Sequence, residues 1–246
     1  MTGAPSLTGI GMRLIDWLLP PRCPACGEAV EQADRLCVAC WTSVDLFGAG
    51  GCVRCGQPMP LAGSEYCGAC LTQKSAIDRS RAVMAYGPVA RSLVLKLKYG
   101  RKVALARVMA RFMAPLVDGE NRPAILVPVP LHRRRLWSRG FNQSLLLARA
   151  IAGRGELQVE PALVRRVKPT LPLKGMDARR RRDMVRGAFK VPDRAAVAGR
   201  NLVLVDDVMT SGATAEACAR VLRRAGAARI DLGCFARVVR EGRDLR

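Results

Sequence analysis

The chain has 246 residues, of which 50% are hydrophobic and 25% are charged, a composition typical of a folded protein and not of a disordered one. No apolar stretch reaches the roughly 20 residues that a transmembrane helix needs, and residues 1–23 lack the basic start, apolar centre and cleavage site of a secretory signal. We therefore expect a cytoplasmic protein without a membrane span. The formal net charge of +21 attracts polyanions in general without specifying which one binds.

Eight of the ten cysteines form four C-x-x-C pairs, which are Cys23 and Cys26, Cys37 and Cys40, Cys52 and Cys55, and Cys67 and Cys70. Two such pairs separated by 10 or 11 residues are typical of a tetrahedral zinc site. Disulfides would need an oxidising compartment, redox pairs usually occur singly, and iron–sulfur clusters use other spacings. The spacing predicts two zinc sites. Sequential pairing is favoured because it closes shorter loops, while the occupancy of both sites stays open.

The remaining two thiols, Cys218 and Cys234, fall in apolar patterns and are predicted to be core residues. From Leu71 onward, short apolar runs alternate with amphipathic stretches, which favours an α/β fold with a mostly parallel sheet flanked by helices. We predict a helical segment over 1–20, a small zinc-binding domain over 21–74 and an α/β domain over 75–246.

The α/β domain contains recognisable strand and helix patterns. Strands are predicted over 81–87, 124–130, about 162–167, 201–205 and 229–239. Helices are predicted over 89–100, 103–117, 142–155 and 214–225, with a basic helix following a polar loop near 168–177.

The stretch NLVLVDDVMTSGATAEACARVL, residues 201–222, carries the clearest functional signal. A buried strand is followed by Asp206 and Asp207, then by a loop of hydroxyls and glycine that opens a helix. Helix N-termini at the carboxyl ends of parallel strands bind phosphate, whereas two acids would repel it and suit ribose hydroxyls or hydrated Mg²⁺. The two acids and the hydroxyl-rich loop together predict a site for a 5-phosphoribosyl group. The alternative is an ordinary helix-capping turn.

The motif VLVDDVMTSGAT resembles the 5-phosphoribosyl 1-diphosphate (PRPP) motif of type I phosphoribosyltransferases. The wider chain, from about residue 20 to 240, resembles the ComF family. The resemblance rests on the cysteine-rich double zinc ribbon, LKLKYG, VPVPLHRRRLWSRGFNQSLLLA, a basic segment ending in RGAF, and the PRPP loop, in that order. It implies a type I phosphoribosyltransferase-like domain behind an N-terminal double zinc ribbon.

The resemblance also implies roles for individual residues. Asp206 and Asp207 would hold the ribose hydroxyls and help to offset positive charge at the sugar during catalysis. The 5′-phosphate would be held by Thr210, Ser211, Gly212, Ala213 and Thr214, and the pyrophosphate loop would be Pro128, Val129, Pro130 and Leu131. Mg²⁺ bound with PRPP, Arg139 and either Lys174 or Arg179 would neutralise pyrophosphate. Lys98 lies in the LKLKYG segment.

Two departures from the family pattern limit what the resemblance implies. Relatives often carry T-x-x-Q in the loop that covers the site, whereas here Thr170 is followed by Leu173 at the glutamine position, and Met184 stands where asparagine is common. What this loop recognises is therefore left open. The single histidine, His132, is either a general base or the partner of a loop hydrogen bond.

The function is predicted in three alternative forms. The first is an enzyme that transfers a phosphoribosyl group from PRPP to an unidentified acceptor. The second is a PRPP-binding module in DNA uptake (natural transformation) or DNA repair, with single-stranded DNA and a DNA helicase as partners. The third is a PRPP-responsive regulator without turnover. With 4% aromatic residues, few side chains are available for stacking on bases, and the sequence does not define the acceptor or the oligomeric state.

Overall fold

The computed structural model describes residues 20–48, 50–59, 64–117, 124–155, 157–169 and 178–239. The helical segment predicted over 1–20 lies outside these residues except for Pro20, as does the loop predicted near 168–177 except for its first two residues. Within the described ranges, no helix combines the length and the apolar character needed to cross a membrane.

A five-stranded parallel sheet forms the centre of the α/β domain, in the order β1-β7-β6-β2-β3. Its strands are β1 (Arg79–Ala85), β2 (Ile125–Pro128), β3 (Gln158–Val159), β6 (Asn201–Met209) and β7 (Arg229–Arg237). Two further short strands, β4 (Arg165–Arg166) and β5 (Phe189–Lys190), pair antiparallel beside it. The predicted fold class is confirmed.

Helices cover both faces of the sheet. They are α1 (Val38–Thr42) and α2 (Gly68–Thr72) in the cysteine-rich region, then α3 (Pro88–Lys98), α4 (Leu105–Val117), α5 (Arg133–Arg139), α6 (Gln143–Ala152), α7 (Ala178–Val185) and α8 (Ala213–Arg224). Residues of α3, α4 and α6 form one apolar core with the sheet, and residues of α8 form a second core on the other face. Alternate residues of β6 serve the two cores, with Val203 and Val205 in the first and Leu202 and Leu204 in the second.

Strand β6 continues past its predicted end. The sequence predicts a strand over 201–205, whereas the ladder with β7 runs on through Asp206 opposite Cys234 to Met209 opposite Arg237. Two adjacent acids are poor strand formers, but backbone pairing with the neighbouring strand decides their conformation. The acids therefore lie inside the last part of the strand instead of after it.

Helix α5 is absent from the predicted elements, which treat the segment after the VPVP sequence as a loop. His132 begins the helix by accepting a hydrogen bond from the Arg134 amide through Nδ1 at 3.3 Å. Gly140 ends it in the left-handed region at φ 85°, where glycine is favoured. A helix of seven residues that is rich in arginine has no apolar periodicity to reveal it.

The cysteine-rich region is docked on the α/β domain by hydrogen bonds to backbone carbonyls. The Phe47 amide donates to the Val83 carbonyl at 2.9 Å, and the Ser80 amide donates to the Arg54 carbonyl at 2.6 Å. Lys96 of α3 donates from Nζ to the Ala25 carbonyl at 2.7 Å. These contacts hold both cysteine-rich halves against β1 and α3.

Candidate functional site

The acidic pair of β6 lies at the carboxyl edge of the sheet, and Asp207 is its buried member. Only 3% of the surface of this residue is exposed. Oδ1 accepts a hydrogen bond from Gln143 Nε2 at 3.2 Å, and Oδ2 forms an ion pair with Lys98 Nζ. Burial alone would lower the pKa of Lys98, but attraction by Asp207 outweighs it and the pKa is raised. The carboxyl of Asp207 is therefore held against a fixed positive charge, the Lys98 ammonium.

Asp206 is only partly buried as a residue and faces a different set of donors. Its Oδ1 accepts from Ser144 Oγ at 3.0 Å and from the Asp207 amide at 2.9 Å. Burial, followed by the charge of Asp207, raises the pKa of Asp206 from 3.8 to about 7. A cation or hydroxyl donor placed here would favour the ionised form of Asp206.

A chain of side chains connects the acids to two separate sequence motifs. Arg139 donates from Nη1 to Gln143 Oε1, and its guanidinium lies 5.3 Å from the centre of the Tyr99 ring. Through Lys98 and Tyr99, the LKLKYG segment meets the RGFNQ segment directly beside Asp207. The acids therefore rest in a prearranged network of cations and amides.

The hydroxyl-rich loop connects β6 to α8. Gly212 adopts φ 71°, a left-handed conformation that favours glycine, and α8 begins at the next residue, Ala213. The first amides of a helix have no intrahelical partner and point outward. Thr210 is exposed, and the loop encloses a cavity of about 30 Å³ together with Asp206. This arrangement can accept a phosphate beside the acids.

The predicted pyrophosphate loop stands next to the same acids. Pro128 ends β2 opposite Val205, and the Val129 amide donates to the Val205 carbonyl at 3.0 Å. Asn142 fixes the loop from the other side by donating from Nδ2 to the Val129 carbonyl at 3.1 Å. None of the peptide bonds that the structure describes is cis.

The eight paired cysteines assemble into two groups of four thiols. One contains Cys23, Cys26, Cys37 and Cys40, and the other contains Cys52, Cys55, Cys67 and Cys70. Within each group, all sulfurs lie within 4.8 Å of one another. The sulfurs of Cys26 and Cys37 are 3.6 Å apart, as are those of Cys55 and Cys67. Zinc–sulfur bonds of about 2.3 Å imply tetrahedral edges of about 3.8 Å, so both groups fit zinc. The grouping is the sequential one that the sequence favours.

Comparisons with known proteins agree with both parts of the chain. A family model of the double zinc ribbon domain matches residues 14–71, and a model of the phosphoribosyl transferase domain matches residues 150–244. DNA utilization protein YhgH of Salmonella typhimurium is 33% identical over 223 residues, which cover 88% of this chain and 90% of that protein. The chain belongs to the ComF family.

Two further matches are more distant. Competence protein F of Haemophilus influenzae is 29% identical over 224 residues, covering 88% of this chain and 96% of that ComF-family protein. Among solved structures, one described as the allosteric regulatory enzyme of purine biosynthesis is 18% identical and covers 52% of this chain and 25% of its own, with a TM-score of 0.35.

Two buried polar residues of this ComF-family protein were not predicted as part of the site. Gln143 is 5% exposed and Ser144 is fully buried, and both donate to the acidic pair. The sequence does contain a signal for them, because two polar residues open a helix whose next three residues are leucine. Polar side chains in such a buried position need partners, and the acids are those partners.

Other predicted residues are placed differently or lie outside the described ranges. Lys174 is outside them, as are Thr170 and Leu173 of the loop that would cover the site, and nothing is described of the Arg179 side chain. His132 caps α5 through its hydrogen bond to the Arg134 amide. Its pKa is lowered by desolvation and then by neighbouring arginines.

Proposed function

We propose that this ComF-family protein binds PRPP together with Mg²⁺ at the carboxyl end of β6. The observation that carries the proposal is the direct adjacency of two carboxylates to a helix-opening loop of hydroxyls and glycine. The loop amides and hydroxyls would hold the 5′-phosphate, and Asp206 and Asp207 would hold the ribose hydroxyls. The pyrophosphate would extend toward the loop after β2, which reaches the same edge of the sheet.

Turnover at this site would displace pyrophosphate from ribose C1. As the bond from C1 to pyrophosphate breaks, positive charge develops on the sugar, and the carboxylates of Asp206 and Asp207 would stabilise that charge. Arg139 would face the growing negative charge on pyrophosphate, provided that it exchanges its present contact with Gln143. Bound Mg²⁺ would supply additional neutralisation of the pyrophosphate oxygens. Lys174, on the covering loop, stays a predicted contributor.

The cellular role that we propose is in DNA uptake. Relatives with about one-third identity are named DNA utilization protein YhgH, and a further one is named Competence protein F. The net charge of +21 favours contact with a polyanion such as DNA. A role in DNA repair, a helicase partner and a cytoplasmic location stay predictions.

A PRPP-responsive binder without turnover is the second candidate, and the Lys98 contact favours it. The charge of Asp207 is already balanced by Lys98, the last residue of α3. A ligand that disturbs this ion pair would therefore move the end of α3. Release of pyrophosphate in the presence of PRPP and a panel of nucleobases separates the two candidates. Metabolic transfer to an unidentified acceptor would produce pyrophosphate, whereas a binder would not.

PRPP with Mg²⁺ is expected to raise the melting temperature of the protein. At a PRPP concentration of about 100 times Kd, binding adds about 2.7 kcal/mol, which corresponds to roughly 5–10 °C for a chain of this size. The variant Asp206→Ala with Asp207→Ala should lose the rise, and Asp206→Asn alone should reduce it.

The matched control for this experiment is Asp34→Asn. Asp34 is exposed in the cysteine-rich region and has φ 63°, a conformation that asparagine also adopts, so this variant should keep the full rise. Differential scanning fluorimetry measures all the variants. A wild-type protein that does not respond to PRPP would contradict the proposed function.

A further inference from the structure

A second cleft opens beside the proposed pyrophosphate loop, between α5, α6 and β4. Its volume of about 650 Å³ lies within the range of sites that bind small ligands or single nucleotides. The apolar part of its lining includes Leu131, Leu136, Phe141, Leu145, Leu146 and Val164. Pro130 and Leu131 of the proposed pyrophosphate loop line this cleft, whereas neither acid of β6 and no residue between Thr210 and Thr214 does, so the cleft is separate from the cavity at the start of α8.

The charged part of the cleft lining is basic. Guanidinium groups come from three separate elements, with Arg133 on α5, Arg149 on α6, and Arg165 and Arg166 on β4. Among the described residues that line the cleft, none is acidic. A ligand that matches both parts of this lining has a flat apolar body and negative charge.

The basic and apolar character continues outside the cleft along α5. Trp137 is 87% exposed and Leu136 is 39% exposed, and Arg134 is also exposed beside them. An indole ring held in solvent among arginines offers a stacking surface for a base together with contacts for the adjoining phosphates. Because this surface extends beyond the cleft, it suits a strand better than a compact small molecule.

We propose that the cleft and helix α5 bind single-stranded DNA, with one base in the apolar cleft, another on Trp137 and the intervening phosphates on the arginines. Paired bases are already stacked on each other, so the exposed indole selects unpaired ones. The choice of DNA among polyanions rests on the proposed function in DNA uptake. The strand would then run past the pyrophosphate loop, close to the PRPP site.

The first test measures stacking on Trp137. The intact zinc-loaded protein is titrated into a fluorescent deoxythymidine oligonucleotide of about 20 nucleotides and followed by anisotropy. Trp137→Ala is expected to weaken binding by about fivefold or more, whereas Trp137→Phe should keep most of the affinity. An abasic oligonucleotide with the same number of phosphates should bind the wild type more weakly and should not distinguish it from Trp137→Ala.

The second test measures the phosphate contacts. Replacing Arg133 and Arg149 together by serine removes two contacts, so the slope of log K against log salt concentration should fall in magnitude by roughly 1.4. Arg107→Ser with Arg111→Ser is the matched control, because it removes the same charge from exposed positions on α4, outside the cleft. The control should keep the wild-type slope.

Two sets of results would overturn the proposed DNA site. Equal losses in the cleft and control variants, or wild-type affinity in all of them, would overturn the proposal in favour of diffuse electrostatic attraction. Saturable binding of thymidine monophosphate without binding of the oligonucleotide would overturn it in favour of a small ligand. The rise in melting temperature with PRPP is measured on the same variants. Its absence would count against the proposed PRPP site alone, and its persistence in Trp137→Ala shows that the variant is folded.

Discussion

Replacing Cys52 by serine is expected to halve the zinc content from two ions to one per chain and to unfold the second half of the ribbon. Cys52 is completely buried and belongs to the second group of four thiols. Structural zinc contributes about 10–16 kcal/mol of apparent binding energy in small zinc-binding peptides, so a lost ligand removes more than this half can otherwise supply. Metal analysis and urea denaturation measure the two effects.

Loss of this zinc ion should also destabilise the α/β domain. The second half of the ribbon contacts β1 through the Arg54 carbonyl, and Arg237 of β7 donates from Nη1 to the Cys55 carbonyl. Cys218→Ala is the matched control, because this buried thiol lies in α8 outside both groups and its removal should leave two zinc ions. A Cys52→Ser protein that keeps two zinc ions would contradict the assignment of the ligands.

Replacing Asp207 by alanine is expected to lower the free energy of unfolding by about 3 kcal/mol. The substitution leaves Lys98, whose side chain is 21% exposed, without the carboxylate that neutralises it. It also leaves Gln143 Nε2 without its acceptor. Combining Asp207→Asn with Lys98→Met removes both charges and keeps a partner for Gln143, so most of the stability should return. Urea denaturation measures each variant.

A surface ion pair provides the control for the substitutions of Asp207 and Lys98. Asp183 and Arg186 lie 3.3 Å apart with side chains that are 55% and 84% exposed, so Asp183→Ala should cost less than about 1 kcal/mol. If Asp207→Ala were as mild as Asp183→Ala, the buried pair would not stabilise the fold as its geometry indicates. The double variant should still fail to respond to PRPP, which separates stability from ligand binding.

Local patterns in the sequence predict the parts of the site that depend on spacing along the chain. The C-x-x-C pairs predict which thiols assemble because each group closes within a short segment. The acids and the hydroxyl-rich loop are also contiguous, from Asp206 to Thr214, so their proximity is certain before the fold is known. Cys218 and Cys234 were predicted to be core thiols, and both are fully buried.

Contacts between distant segments could not be predicted in the same way. Lys98 and Asp207 meet only because α3 packs on the sheet that contains β6. Gln143 joins them from a third segment. The cleft beside α5 is missed for the same reason, since its arginines come from three elements. The extension of β6 through the acids depends on pairing with β7, which propensity alone does not reveal.

The most direct test is a crystal structure of the protein with PRPP and Mg²⁺. It should show the 5′-phosphate accepting hydrogen bonds from the amides of the loop between Thr210 and Thr214, with the ribose hydroxyls on Asp206 and Asp207. Density for PRPP in the cleft beside α5, or a 5′-phosphate remote from this loop, would contradict the assignment of the acids and the loop as a single phosphoribosyl-binding site.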